Sequence, residues 1–448
     1  MLHQDTIVAL TTAVGGALGL VRISGTEAIS IAGKMFEGKD LAQQKTHTLH
    51  FGTLHTATGE LMDEVLVSVF KNTHSYTGEH TVEISAHGSP YILGKIVGEA
   101  IRLGARAARP GEFTQRAFFN GKMDLAQAEA IADLIASENK ASHEIALNQM
   151  RGGVSSELEQ LREQLINFTA LIELELDFSD EDVEFADRSQ LKILIQNLQT
   201  KIQNLIQSFE YGNAIKNGVP VAIIGKPNAG KSTLLNALLK EERAIVSEIA
   251  GTTRDVIEEA ITLDGITFRF IDTAGIRDTE DTIEAIGVRR AKEKVRQAKV
   301  VIHLYEDDDS LLGELSESLE GKIVFNLQSK CDNAMGHAPL PTKNQIHFPI
   351  SVKENINLDK LTNELVAHFK NENATQSVII SNIRHKEALE KSLAALIEVE
   401  NGMAQNLSGD LLSLHLKDAL YHIGTITGKI DVDKDILGAI FGKFCIGK

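Results

Sequence analysis

The sequence predicts a multidomain α/β chain. An N-terminal α+β domain comes first, and a domain of alternating strands and helices then interrupts a helical domain. Three observations predict this. Short β-rich runs mixed with helical stretches fill the first 117 residues. An alanine-, leucine- and glutamine-rich helical period follows, with no proline between Pro110 and Pro220. The helical period then returns after Phe369, beyond a strand–helix alternation. The expected boundaries are 1–117, 118–215, 216–370 and 371–448, the second and fourth being pieces of one discontinuous helical domain. A length of 448 residues suits about three domains.

In the first segment, Thr6–Leu10, Leu66–Phe70 and Thr81–Ala86 read as strands and Ile92–Arg102 as a helix. Leu125–Ile135, Ser155–Leu176 and Leu191–Phe209 read as helices. So do Lys386–Glu400, Asp410–Ile423 and Ile436–Phe441 after the insertion. The acidic stretch Glu173–Asp187 lacks the glycine and the ordered oxygen spacing of a calcium loop, and reads as a helix end and linker. Arg102, Arg106, Arg109 and Arg116 gather in sequence, as a solvated helix face and loop or as a local RNA-contact patch.

The inserted segment carries the most specific pattern. Gly225-Lys-Pro-Asn-Ala-Gly-Lys-Ser232 is G-x-x-x-x-G-K-S, the phosphate-binding P-loop. The apolar strand Val221–Ile224 precedes it, with Pro220 at the strand start, where a missing N–H is tolerated. Helical leucine spacing follows from Ser232 to Lys240. Strand, glycine loop and helix turn consecutive N–H groups and a helix N-terminus toward a polyphosphate. Lys231 is placed to reach β- and γ-phosphates, and the Ser232 hydroxyl to ligate Mg²⁺.

Guanine differs from adenine in offering N1–H and a 2-amino group to a carboxylate. Gln328-Ser-Lys-Cys-Asp332 follows the apolar run Lys322–Leu327 and supplies Lys330 and Asp332 in the [N/T]-K-x-D position, with Ser329 in place of Asn or Thr. The strand His347–Ile350 leads into Ser351-Val352-Lys353, a base-touching loop. Asp272-Thr273-Ala274-Gly275 follows the strand Thr267–Ile271, and Gly251-Thr252-Thr253 lies upstream. Both are switch segments, with Asp272 and Thr253 at Mg²⁺ and Gly275 at the γ-phosphate. These motifs, taken in their chain order, predict a Ras-like P-loop G domain. Ile276 stands where many such domains place a water-orienting Gln. Glu284 is therefore either a water-positioning group or an exposed helix residue.

With these motifs in place, the chain resembles the MnmE (TrmE) family of tRNA modification GTPases over essentially its whole length. The resemblance rests on Asp5-Thr-Ile-Val-Ala9, Val21-Arg-Ile-Ser-Gly25, Ser75-Tyr-Thr-Gly-Glu79, His87-Gly88 and Ala108-Arg-Pro-Gly-Glu-Phe113. It also rests on Asn120-Gly-Lys-Met-Asp-Leu125, the P-loop and the terminal Phe444-Cys-Ile-Gly-Lys448. The resemblance implies a K⁺-stimulated GTPase whose cation is held by Asn228, Ser247, Ile249 and Thr252, in the place of an arginine finger. Mg²⁺ falls to Ser232 and Thr253, and the catalytic set becomes Glu284, Lys231 and Thr253. The GTP-contacting residues run through Asn228, Ala229, Gly230, Lys231, Ser232 and Thr233, then Ser247, Glu248, Ile249, Ala250, Gly251, Thr252 and Thr253. Asp272, Thr273, Ala274, Gly275, Ser329, Lys330, Asp332, Ser351, Val352 and Lys353 complete them.

The resemblance further implies that the N-terminal α+β domain is a folate-binding and dimerisation domain. Arg22, Glu79, Lys122 and Lys448 would hold a 5-formyl- or methylene-tetrahydrofolate. It implies a homodimer, an FAD-containing MnmG (GidA) partner, and carboxymethylaminomethyl-type modification at C5 of the wobble uridine (position 34) of certain tRNAs. The alternative is a ribosome-assembly or signalling GTPase that acts only as a partner switch.

Composition bounds the rest. A formal net charge of −17 argues against a broad grip on RNA phosphates, so a partner is expected to hold most of the tRNA. Two cysteines and no signal-like N-terminus point to a cytoplasmic protein without a disulfide framework. The apolar runs stop well short of the roughly 20 residues that span a membrane. Cys445 reads either as a reactive thiol or as a buried apolar anchor, and Cys331 as incidental.

Overall fold

The computed structural model describes residues 5–177, 188–226, 228–241, 259–271, 284–306, 315, 318–330, 345–369, 378–405 and 407–429. The chain forms two compact units. One comprises Met1–Ala136, Ala146–Gln199 and Lys391–Lys448, the other Ser137–Ile145 and Thr200–Glu390.

The first unit contains a seven-stranded sheet of β1 (Ile7–Leu10), β2 (Leu18–Ser24), β3 (Phe36–Glu37), β4 (Thr48–His55), β5 (Leu61–Phe70), β6 (Thr81–His87) and β7 (Arg106–Ala107). The order is β3-β4-β5-β6-β2-β1-β7, antiparallel throughout except for β1 with β7. Alternation writes the faces: Val65, Val67 and Val69 of β5 are buried between exposed or half-buried neighbours. They join Val21, Ile23 and Ile84 against Leu93 and Ile96 of the helix Pro90–Arg102. On the opposite face Phe51 and Leu66 stand directly across from each other and are exposed. One end of that face is covered by the helix Glu112–Phe119, whose Phe113 packs on Ile7, Ala9 and Tyr76.

The same unit holds helices that come from distant parts of the chain. Leu125–Ile135 opens with a capping box, because the Asp124 carboxylate accepts from the Gln127 N–H while the Gln127 side chain accepts from the Asp124 N–H. Gly409–Thr427 packs along Gly153–Asp177 and against Leu125–Ile135. Gln196 and Gln199 both donate to Glu400. The expected helix at Ile436–Phe441 and residues 178–187 of the acidic stretch lie outside the described residues; up to Asp177 that stretch is helical.

The second unit contains a six-stranded sheet of β8 (Val219–Gly225), β9 (Glu259–Leu263), β10 (Ile266–Phe270), β11 (Val300–Tyr305), β12 (Ile323–Ser329) and β13 (Gln345–Ile350). Its order is β13-β12-β11-β8-β10-β9, all parallel except β9. Both faces are covered. Val221, Ile223, Ile302, Phe325 and Phe348 pack on Leu234 and Leu361, while Ala222, Ile224 and Val301 pack on Val295 and Leu315. The inner strands β8, β11 and β12 are therefore largely apolar runs, whereas β10 alternates buried and half-buried residues. Pro220 is the second residue of the central strand β8, and its carbonyl accepts the Lys299 N–H.

One polar row crosses this apolar sheet. His303, Asn326 and His347 are register partners on β11, β12 and β13. Asn326 Nδ2 and His347 Nε2 are 3.2 Å apart. Burial pushes the His303 imidazole down to about 4, against a hydrogen bond to Asn326 that raises it. An unfolded histidine titrates near 6.5, so between that value and about 4 the unfolded chain binds a proton that the folded one refuses. The stability that depends on neutral His303 is complete above this window and is lost as pH falls through it. We expect the calorimetric midpoint of the second unit to fall across this range, and His303→Leu to flatten the dependence.

Candidate functional site

The parallel strands β8, β11, β12 and β13 end on one edge of the second sheet, and this direction places the sequence motifs together. At the end of β8 the chain curls at Gly225, with φ +151°, where an added Cβ would lie 2.3 Å from the Leu304 carbonyl oxygen on β11. Asn228 is exposed with φ 65° and Gly230 has φ 94°, so two left-handed residues wrap the loop before the helix Lys231–Glu241. Ala229 is buried, and the Leu234 N–H closes the first turn on the Gly230 carbonyl. Ser232 is half-buried and Thr233 exposed in this turn.

The Lys231 ammonium turns back into the loop and donates at 2.8 Å to each of the Gly225 and Lys226 carbonyls. Burial first, and the nearby Lys294 charge second, hold this amine below the usual lysine range. It is thus a desolvated cation held by neutral oxygens, in the position where phosphate oxygens would be stronger acceptors.

The neighbouring strand ends supply the next residues. The Ser329 hydroxyl donates to the Tyr305 carbonyl at 3.1 Å, and Lys330, with φ 58°, pairs with Glu306 at 2.5 Å. Ser351 is buried and makes a two-bond bridge with Ile356 that turns the chain after β13. Val352 is half-buried and Lys353 exposed beyond it. Ser247, Glu248, Ile249, Ala250, Gly251, Thr252, Thr253, Asp272, Thr273, Ala274, Gly275 and Asp332 lie outside the described residues, as do Cys331, Cys445 and Lys448. Glu284 opens the helix Glu284–Gln297.

The first unit gathers a second set. Arg22 on β2 pairs with Glu83 at 2.8 Å, and its guanidinium lies 5.3 Å from the ring centroids of both Tyr76 and Phe113. Burial raises the Tyr76 phenol, whose oxygen shares a hydrogen bond with Thr114 at 2.8 Å. The Glu79 carboxylate accepts from the Ser24 hydroxyl at 2.8 Å and from Arg116 at 3.2 and 3.3 Å. Lys122 donates to the Thr73 carbonyl at 2.7 Å, and Asn120 to the Thr77 carbonyl at 2.8 Å. Glu79 thus ends the segment from Thr73, Lys122 bonds to it, and the Arg22 guanidinium lies over the ring of its Tyr76.

The arginine group meets the solvated-face expectation only in part: Arg102 and Arg109 are exposed, Arg106 is half-buried and Arg116 is buried. Arg102 forks onto Glu99, Arg106 is bound by Asp5 and Glu112, and Arg116 is buried among Asp5, Glu79 and Glu112. Sequence reasoning missed Ser24, Glu83 and Glu112 as members of this cluster. The available signal was the i,i+4 pairing of Glu112 with Arg116, inside a segment already singled out by its neighbours.

Comparison with known proteins bears on the whole chain. Residues 6–122 match the family described as GTP-binding protein TrmE N-terminus, and residues 125–445 match the MnmE helical domain. The tRNA modification GTPase MnmE of Flavobacterium johnsoniae is 50% identical over 479 residues, covering 100% of both chains. The protein of that name from Cytophaga hutchinsonii is 50% identical, over 100% of this chain and 98% of its own. That of Bacteroides fragilis strain YCH46 is 50% identical with 100% coverage of both. The solved G domain of the T. maritima FeoB iron transporter aligns with 34% of this chain and 99% of its own, at 23% identity and TM-score 0.24.

Gly225→Ala should be severe because the new methyl meets a backbone carbonyl, not a flexible side chain. We expect a stability loss on the order of 1–3 kcal/mol from overpacking, together with loss of fluorescent-GDP binding. Thermal melts and a nucleotide titration check both.

Proposed function

The chain belongs to the MnmE family of tRNA modification GTPases, and we propose that it works as a homodimeric, K⁺-stimulated enzyme on the wobble uridine of certain tRNAs. In this reading a reduced folate supplies the one-carbon unit, and an FAD-containing MnmG-type partner supplies the redox chemistry and holds most of the tRNA. The observation that carries the nucleotide half is the Lys231 ammonium in the P-loop, which among the described residues donates to the Gly225 and Lys226 carbonyls, acceptors that a polyphosphate can replace.

The residues fit the groups this reading needs. Asn228, exposed at the loop tip, would offer its side-chain oxygen to K⁺, with Ser247, Ile249 and Thr252. The Ser232 hydroxyl and Thr253 would hold Mg²⁺. When bound, the two cations supply positive charge against the oxygens of the transferring phosphoryl group. Lys231 would leave the Gly225 and Lys226 carbonyls for the β- and γ-phosphate oxygens. Glu284 would orient the water that attacks the γ-phosphorus as the bond to the β–γ bridging oxygen breaks. Lys330 and Asp332 would read guanine, with Ser329 steadying the loop through Tyr305.

The N-terminal set fits a reduced folate in the same way. Glu79 offers carboxylate oxygens to the N–H edge of a pterin, and Arg22 and Lys122 offer cations to the carboxylate tail. When bound, the folate provides a carbon at the oxidation level of formaldehyde or formate. The exposed Phe51 and Leu66 on the open face of the first sheet support the homodimer. No helix among the described residues is long and apolar enough to cross a membrane, and cytoplasmic placement is part of the proposal.

Turnover of GTP in KCl against NaCl tests the cation reading, with faster hydrolysis expected in KCl. Asn228→Ala should abolish the K⁺ response and keep nucleotide binding; a retained K⁺ response removes Asn228 from the site. Glu284→Ala should bind GTP normally and turn over about 10²–10⁴-fold more slowly, the range for loss of a positioned acid–base group. Modification assayed with the partner and tRNA separates this enzyme from a partner-switching GTPase, which would hydrolyse GTP and leave the tRNA unmodified.

A further inference from the structure

The first unit holds a charge cluster to which the proposed reaction gives no task. Its centre is Arg116, on the helix Glu112–Phe119, with a side chain only 1% exposed. Nη1 donates to the Asp5 carbonyl at 2.8 Å and to the two Glu79 oxygens at 3.2 and 3.3 Å. Nη2 donates to Asp5 Oδ1 at 2.7 Å and to Glu112 Oε1 at 3.3 Å. Glu112 is held in turn by the Arg106 guanidinium at 2.5 and 3.0 Å and by the Arg109 N–H at 2.7 Å. On the other side of Glu79, the buried Ser24 hydroxyl donates to Oε2 at 2.8 Å and shares a 2.8 Å hydrogen bond with Thr77.

The distances rank the three carboxylates. Asp5 and Glu112 each have a strong charge-assisted bond of 2.8 Å or less from an arginine, whereas both Arg116 contacts to Glu79 are long. Glu79 is therefore fixed in direction by two donors and left with acceptor capacity. A carboxylate has about four acceptor positions. Its side chain is 17% exposed, while that of Glu112 is 3% exposed. This is the arrangement of a recognition carboxylate braced from behind.

We propose that Arg116, assisted by Ser24, is the positioning group that sets the plane of the Glu79 carboxylate for paired N–H donors on the pterin edge of a reduced folate. The inference rests on the reading of Glu79 as a folate contact and adds the residues that aim it. It also gives a task to the segments around Asp5 and Glu112, which carry family resemblance and no assigned role. Asp5, through its carbonyl at 2.8 Å and Oδ1 at 2.7 Å, keeps the guanidinium in place, so that Nη1 does not close on Glu79 and saturate it.

The test is titration of the full-length chain with 5-formyltetrahydrofolate by calorimetry, with circular dichroism melts as the fold control. Arg116→Lys keeps the charge and loses the fork, and we expect affinity to fall about tenfold, the scale of one lost charged hydrogen bond. Ser24→Ala should lower it about threefold, the scale of a neutral donor. Glu79→Gln should bind weakly, and adding Arg116→Lys to it should cost less than about twofold more, because Arg116 acts through Glu79. Wild-type affinity in Arg116→Lys, or losses that multiply in the double variant, overturns the proposal and leaves the folate reading standing. Wild-type affinity in Glu79→Gln overturns the reading of Glu79 itself, and the proposal with it. If Arg116→Lys does not fold, Ser24→Ala alone and combined with Glu79→Gln decides by the same two criteria, and unchanged affinity in Ser24→Ala overturns the proposal.

Discussion

A cation taken out of water must be met by oxygen, and both candidate sites are organised by that requirement. Stripping an ammonium or guanidinium of solvent costs several kcal/mol even after relaxation. The two solutions differ in kind. Arg116 meets three carboxylates and a carbonyl, partners fixed by covalent attachment to β1, to the loop before β6 and to its own helix. Lys231 meets two backbone carbonyls of its own loop. The first is a permanent settlement that positions neighbours. The second is provisional, because carbonyl dipoles are weaker partners than anions, and burial already presses the Lys231 amine toward losing its proton. Under the proposed function, a polyphosphate reaching this loop would offer the ammonium stronger acceptors than the two carbonyls.

Topology then decides what else can gather at each cation. Four parallel strands finishing on one edge bring residues from three distant stretches beside the P-loop without any long connection. The edge is tightly drawn. Gly225 approaches the Leu304 carbonyl too closely for a side chain, and Tyr305, which ends that neighbouring strand, and Glu306 just after it hold Ser329 and Lys330. The P-loop and the segment at Ser329 and Lys330 are therefore both referenced to the end of β11, a strand with no motif residue of its own.

This explains which parts were legible in the sequence. The helices Leu125–Ile135 and Gly409–Thr427 and the strands around the P-loop carry period and punctuation together, and the expected elements overlap the observed ones. Segments whose pattern is broken by a special requirement were missed. In β4, Gly52 interrupts the alternation because a Cβ there would lie 2.4 Å from the Glu37 carbonyl. In β11, His303 interrupts an apolar run to complete a polar row with Asn326 and His347, visible only once β12 and β13 lie beside it. The site residues divide similarly. Lys231 and Ser232 follow from a local motif, whereas Ser24, Asp5, Glu112 and Arg116 converge from three parts of the fold. Their charges look like ordinary surface until the sheet brings them together.

Charge pairing also bears on how such a chain would meet tRNA under the proposed function. The formal net charge is −17, so any grip on phosphates must come from basic residues left over after internal pairing. Three of the four arginines clustered between Arg102 and Arg116 are engaged by Glu99, Asp5, Glu112 and Glu79. Diverting them to phosphate would expose those carboxylates and add repulsion at the surface where attraction is needed. The same pairing thus leaves Arg106 and Arg116 committed to carboxylates. The internal pairing of these arginines is consistent with the proposed division of labour, with phosphates on a partner and a small ligand here.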